Sequence, residues 1–180
     1  MPMSDPEKGG YCWVMAPNIQ LIQSIARLLV ANDLTLVTAE SCTGGMIAAE
    51  LTSVPGSSEW FEGAFVTYRL SAKTRMIGVR QATLDTYGPV SEPTAREMAE
   101  GALAASDARI SVAVTGVAGP DGGDLRAPVG TVWFGWAVQT PAPRCIQTSR
   151  HELEGGRDRV RARAVEMALE GLLTILDEAG

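Results

Sequence analysis

The sequence predicts an α/β protein: a single-domain three-layer α/β/α sandwich around a mixed, mostly parallel sheet of about five strands. Three observations carry that reading. Helical and strand periodicities alternate along the chain in the order α β α β α α β β β α. The stretch Ile110 to Val117 is almost continuously apolar, as a central strand covered on both faces requires. The last three strands follow one another with no crossover helix, which makes part of the sheet antiparallel. With 180 residues, 46% hydrophobic and 20% charged, the chain can fill one sizeable core, and disordered, collagen and coiled-coil architectures are excluded.

Residues 1–17 contain Pro and Gly breaks and no apolar period, so they read as a flexible leader, with the domain over 18–180. Asn18 is an N-cap type residue, and Ile19, Ile22, Ile25, Ala26 and Leu29 recur at helical spacing to about Ala31. Leu34 to Thr38 is a short β-rich run. Thr43 to Thr52 reads as a helix opened by Gly44 and Gly45 and stopped before Pro55. Phe61 to Tyr68 is the next strand, Ser71 to Ile77 a short helix, and the region of Gly78, Gly88 and Pro89 a loop. Ser91 caps a helix with Pro93 in its first turn and Ala95, Met98, Ala99 and Ala102 on one face, reaching about Ala105. After the apolar strand comes a glycine-rich loop from Gly119. Strands over 130–138 and 144–153 follow, and a helix from Arg157 to about Asp177 carries Val160, Ala164, Met167, Ala168, Leu172 and Ile175 on one stripe.

Composition excludes several function classes. A net charge of −6 provides no basic footprint for nucleic acid. No apolar run approaches the roughly 18 residues of a membrane span, and the start lacks the order of a signal peptide, so a cytoplasmic protein without membrane partners is expected. Cys12, Cys42 and Cys145 are odd in number and far apart, which argues against a disulfide framework. One histidine, His151, cannot anchor a zinc site, so no metal and no cofactor are expected, and any Ser-His pair would have to use it. The 15 basic residues comprise 13 Arg and two Lys, and Lys8 lies in the leader. Lys73 is thus the lone lysine of the body, and lysine, unlike arginine, can lose its proton when desolvated.

The run Thr38-Ala-Glu-Ser-Cys-Thr-Gly-Gly45 joins a strand to a helix, the place where open α/β sheets hold ligands. Glu40, Ser41, Cys42, Thr43, Gly44 and Gly45 are therefore candidate binding residues, with amides of Thr43 to Gly45 expected to face the cleft. Ser41 is either a helix cap or a nucleophile, and Cys42 either a rival nucleophile or a small buried hydrophobe. Lys73, at the end of the next strand-to-helix junction, is either a solvated helix residue or the base for Ser41. In the latter case burial and the neighbouring Arg69 and Arg75 would depress its pKa, and Tyr68 could hydrogen-bond in the same site. Thr115, Gly116 and Gly119 begin a loop whose glycines would let a ligand approach the backbone. Arg157, Arg159, Arg161 and Arg163 crowd a helix start, where positive charge opposes the macrodipole. Their counter-charge is either a substrate phosphate or Glu152, Glu154 and Asp158. Trp60 or Trp136, if exposed, would mark a homo-oligomer contact.

Several blocks, taken in order, resemble one family. Ala39-Glu-Ser-Cys-Thr-Gly-Gly45, Val54-Pro-Gly-Ser-Ser58, Val66-Thr-Tyr68 with Lys73, Arg96-Glu-Met-Ala-Glu-Gly101, Val114-Thr-Gly-Val-Ala-Gly-Pro-Asp-Gly-Gly123 and Pro128-Val-Gly-Thr-Val132 together resemble the CinA C-terminal domain family. The resemblance implies a three-layer α/β/α domain that hydrolyses the carboxamide of nicotinamide mononucleotide to nicotinate mononucleotide and ammonia. It also implies Ser41 as nucleophile and Lys73 as general base, with Tyr68 lining the site and a small mononucleotide as partner. One departure is visible. Where the family usually has Tyr-Ser-Asn, this chain has Tyr68-Arg69-Leu70. The other class compatible with the same residues is a nucleotide-binding or regulatory module that keeps the cleft without turnover.

Overall fold

A computed structural model describes residues 18–139 and 143–179; the leader expected over residues 1–17 lies outside them. The elements in chain order are α1 (Ile19–Ala31), β1 (Leu36–Glu40), α2 (Met46–Leu51), a single 3-10 turn at Ser57–Glu59, β2 (Phe61–Val66), α3 (Leu70–Ile77), α4 (Gln81–Tyr87), α5 (Glu92–Ala104), β3 (Ile110–Gly116), β4 (Thr131–Gln139), β5 (Pro143–Glu152) and α6 (Arg157–Ala179). The five strands form one mixed sheet in the order β2-β1-β3-β4-β5. β1 pairs parallel with both β2 and β3, while β4 is antiparallel to its neighbours β3 and β5. β4 is therefore the only strand reversed, and the C-terminal ends of β1, β2 and β3 share one edge of the sheet.

Helices cover both faces. On one, Ile22, Ile25 and Leu29 of α1 and Val160, Ala164, Leu169 and Leu172 of α6 pack on Ile110, Val112 and Val114 of β3. Each such buried Val, Leu or Ile side chain contributes about 1.5–3 kcal/mol. On the other face, Met98, Ala99 and Ala102 of α5 pack on Val37, Ala39, Ala113 and Ala137. The small residues let α5 sit low on the sheet: a Cβ at Gly135 would come within 2.7 Å of the Ala95 carbonyl oxygen. The expected central strand is β3, buried along nearly its whole length and central in the sheet.

Three local expectations change. β1 begins and ends two residues later than the β-rich run indicated, because pairing with β2 and β3 together, rather than composition, sets its ends. α2 starts only at Met46, since Gly44 and Gly45 take positive φ of 62° and 96°, incompatible with a helix. The region expected to be a loop between Gly78 and Gly88 holds α4, which buries only Thr83 and Leu84 and so has no apolar stripe to reveal it. Trp60 and Trp136 are each 2% exposed and belong to the core, so neither marks an oligomer contact. The Trp136 indole N–H donates to the Ala168 carbonyl at 3.2 Å, and the ring occupies the space a side chain at Gly171 would need. No described helix is long and apolar enough to cross a membrane.

Candidate active site

Ser41 follows β1 directly, and its amide donates to the Val114 carbonyl at 3.0 Å, prolonging the β1–β3 pairing by one step. Lys73 lies in the first turns of α3, which starts four residues after β2 ends. Because β1 and β2 are parallel neighbours, those two junctions lie side by side. The Lys73 ammonium donates to Ser41 Oγ at 2.9 Å and to the Thr67 carbonyl at 2.6 Å. Lys73 is 1% exposed and Ser41 8%. Burial lowers the Lys73 pKa from 10.5 to about 8, partly countered by Cys42. Arg69 and Arg75, expected to contribute, are not among the causes; desolvation does the work.

Cys42 is also buried, and burial raises its thiol from 9.0 to about 11. It therefore stays protonated and weakly nucleophilic at neutral pH. His151 packs edge-on against Phe134 on β4, with ring centroids 5.8 Å apart, and does not line the cavity around Ser41. Among the described residues no group of three His, Cys, Asp or Glu side chains converges as a metal site would need.

Glu40 is not a binding residue. Side chains alternate along β1, which puts Glu40 on the Leu36 face, beneath the start of α2. Its carboxylate accepts from the amides of Gly45, Ile47 and Ala48 at 2.9–3.1 Å, from Thr43 Oγ1 at 2.7 Å and from Thr38 Oγ1 at 3.3 Å. The positive end of the helix is thus filled by the chain's own anion. That overturns the expectation that Gly44 and Gly45 offer amides to a ligand, since the Gly45 amide serves Glu40 and the Gly44 amide donates to the Ser41 carbonyl at 3.1 Å. The amides of Cys42 and Thr43 have no oxygen acceptor among the described residues; both approach the Cys42 thiol instead.

A cavity of about 650 Å³ opens over the Ser41–Lys73 pair. Of the residues singled out in the sequence, Cys42, Tyr68, Arg69, Leu70, Thr115, Gly116 and Arg157 also line it. Thr115 is tied down, its hydroxyl donating to the Pro89 carbonyl at 2.8 Å. Tyr68 is 58% exposed, at the rim, where its hydroxyl oxygen accepts from Arg157 at 3.1 Å; Arg157 also donates to the Gly119 carbonyl at 2.9 Å. Arg161 lies outside the cavity and donates to the Cys42 and Thr43 carbonyls, both at 3.1 Å, bracing the turn that carries Ser41. Neither Arg157 nor Arg161 pairs with Glu152, Glu154 or Asp158; the described ion pairs of this region are Arg150 with Glu152, and Arg163 with Glu166 and Glu170.

The glycines of the β3–β4 loop have another use than the one expected. A Cβ at Gly116 would lie 2.8 Å from the Thr131 carbonyl oxygen, and one at Gly119 2.7 Å from Val129. They admit the neighbouring strand and loop, and Gly116 lines the cavity as well. Residues not singled out also form the cavity wall: Ser71 at the start of α3, Pro89 and Val90 ahead of α5, and Ala118. The Ser91 cap was the available signal for Pro89 and Val90, because the chain just before it must reach this edge of the sheet.

Comparison with known proteins assigns the family. The family described as "CinA C-terminal domain" matches residues 18–176. The chain belongs to the CinA C-terminal domain family. A nicotinamide-nucleotide amidohydrolase PncC of Escherichia coli is 49% identical over 154 residues, covering 86% of this chain and 92% of that protein. A protein of the same name from Pseudomonas putida is 44% identical over 161 residues, covering 89% of this chain and 98% of its own length. The crystal structure of a CinA superfamily protein from Klebsiella pneumoniae superposes with a TM-score of 0.82 at 36% identity, over 88% of this chain and 97% of that one. The CinA domain fold and the sandwich expected from the sequence coincide.

Proposed function

We propose that the protein is a nicotinamide mononucleotide amidohydrolase working by a Ser-Lys mechanism without a metal or cofactor. The reading rests on the 2.9 Å contact between Lys73 Nζ and Ser41 Oγ at the floor of the cavity, in a chain nearly half identical to amidohydrolases of that name. As a neutral amine, Lys73 keeps one N–H on the Thr67 carbonyl, which aims its lone pair at the Ser41 hydroxyl. Ser41 Oγ then adds to the carboxamide carbon while its proton passes to Lys73. The amides of Cys42 and Thr43, which only the Cys42 thiol approaches, turn to receive the oxyanion, one step earlier in the turn than the glycines. Lys73 returns the proton to the departing nitrogen, ammonia leaves, and an ester of Ser41 remains. Water, deprotonated by Lys73, cleaves that ester to nicotinate mononucleotide, and Ser41 recovers its proton. Leu70, Val90 and Ala118 supply apolar wall for the pyridine ring.

Purified protein incubated with nicotinamide mononucleotide should release ammonia and nicotinate mononucleotide in equal amounts, with or without a chelator. Binding of the mononucleotide with no ammonia after hours would show a binding module instead. Loss of turnover on chelation would overturn the metal-free mechanism.

A further inference from the structure

The cavity has a polarity that the Ser41–Lys73 chemistry does not use. Its floor is buried, whereas Tyr68, Arg69 and Leu70 at the rim are exposed. A mononucleotide bound with its carboxamide on Ser41 must direct its phosphate toward that rim, because a dianion is costly to bury without full compensation. Three cations line the cavity: Lys73, Arg69 and Arg157. Lys73 is held by Ser41 and Thr67, and Arg157 by Gly119 and Tyr68. The Arg69 side chain makes no hydrogen bond or ion pair with any described residue; only its carbonyl is engaged, by the Ala72 and Lys73 amides, so its whole guanidinium fork is available to an oxyanion.

Resting on the amidohydrolase reading above, we infer that Arg69 is the specificity-determining residue that binds the substrate's phosphate and makes the enzyme prefer a nucleotide to the corresponding nucleoside. In a chain of net charge −6, a free cation at the mouth also offsets the general repulsion of a phosphorylated substrate. Arg157 acts differently. It is fixed to both walls and sets the shape of the mouth.

The test compares nicotinamide mononucleotide with nicotinamide riboside, which differs only by the phosphate, on the wild type, Arg69→Ser and Arg69→Lys. Arg75→Ser serves as a control with the same change in net charge, since Arg75 does not line the cavity. The expected result is that Arg69→Ser lowers the ratio of kcat/KM on the mononucleotide to that on the riboside roughly tenfold, mostly through KM. Arg69→Lys should fall in between, and Arg75→Ser should keep the wild-type ratio. An equal change on both substrates, no change in the ratio, or the same drop with Arg75→Ser would overturn the inference. Calorimetric titration with nicotinate mononucleotide separates this outcome from failure of the functional reading. Affinity that weakens about tenfold in Arg69→Ser, in a protein releasing no ammonia, would uphold the phosphate site and refute the amidohydrolase. A wild type that neither binds nor turns over refutes both.

Discussion

The floor and the rim of the cavity over Ser41 and Lys73 are built on opposite principles. At the floor Ser41 and Lys73 are buried, with Glu40 buried behind them, and their side-chain polar atoms are held by the chain itself. At the rim, Tyr68 and Arg69 are solvent-exposed, and Arg157 is half-buried and joins Tyr68 to the opposite loop. The contrast separates two tasks. Proton transfer needs a lysine that has lost its hydration, which only a dry and rigid floor provides. Holding a mononucleotide needs contacts that form and break with binding, which long exposed side chains provide.

Variants at the floor should act on kcat and variants at the rim on KM, so each tests the division. The largest effect belongs to Ser41→Ala, which should abolish ammonia release, by a factor on the order of 10⁴ or more, and leave no ester detectable by intact-protein mass spectrometry. Lys73→Arg keeps the charge but cannot give up a proton, and should cost at least ~10²-fold in kcat/KM. If more than a tenth of the activity remained, Lys73 would be acting as a charge and not as a base.

The same lysine makes a pH prediction with a defined sign. Activity should rise through about pH 8 as Lys73 becomes neutral in the folded protein. Between about 8 and its ordinary 10.5 the unfolded chain binds the proton that the folded chain has released. Conformational stability should therefore rise with pH across that window. Urea midpoints for wild type and Lys73→Met at pH 8 and pH 10 should show this increment in the wild type and its loss in the variant.

Glu40→Gln tests the support behind the floor. It keeps the shape but sets an amide N–H₂ against amides that are themselves donors, which should cost about 2–4 kcal/mol of stability. With the Ser41 turn loosened, kcat should fall on the order of tenfold while KM moves little; an increase in KM alone would place Glu40 against the substrate. Arg157→Ala should have the smallest effect, raising KM roughly three- to tenfold with kcat near wild type, because its contacts lie far from the reacting carbon. A collapse of kcat in this variant would move Arg157 from the rim to the floor.

Much of this was legible beforehand, and the reason differs from element to element. The Asn18 cap accepts from the Leu21 amide and the Ser91 cap from the Thr94 amide, as their spacing indicated, because caps join residues three apart. Ser41 and Lys73 were accessible because each sits at a strand-to-helix junction, and parallel neighbours bring such junctions to one edge. The short α4 escaped because a helix with two buried residues has no periodic signature.

By itself, the sequence determined the α/β class, the central strand β3, most helix starts, and the neighbouring strand-to-helix junctions that carry Ser41 and Lys73. These follow from local propensity and from hydrophobic period, which operate over a few residues. Only the tertiary structure decided which donor meets which acceptor. The amides at the start of α2 go to Glu40 rather than to a ligand. Arg161 braces carbonyls 118 and 119 positions away, and burial, not neighbouring arginines, depresses Lys73. Trp136 is buried because α6 crosses above it, with Gly171 leaving room for the ring. Each of these depends on segments distant in the chain being brought to within about 3–4 Å, the range at which hydrogen bonds and packing act.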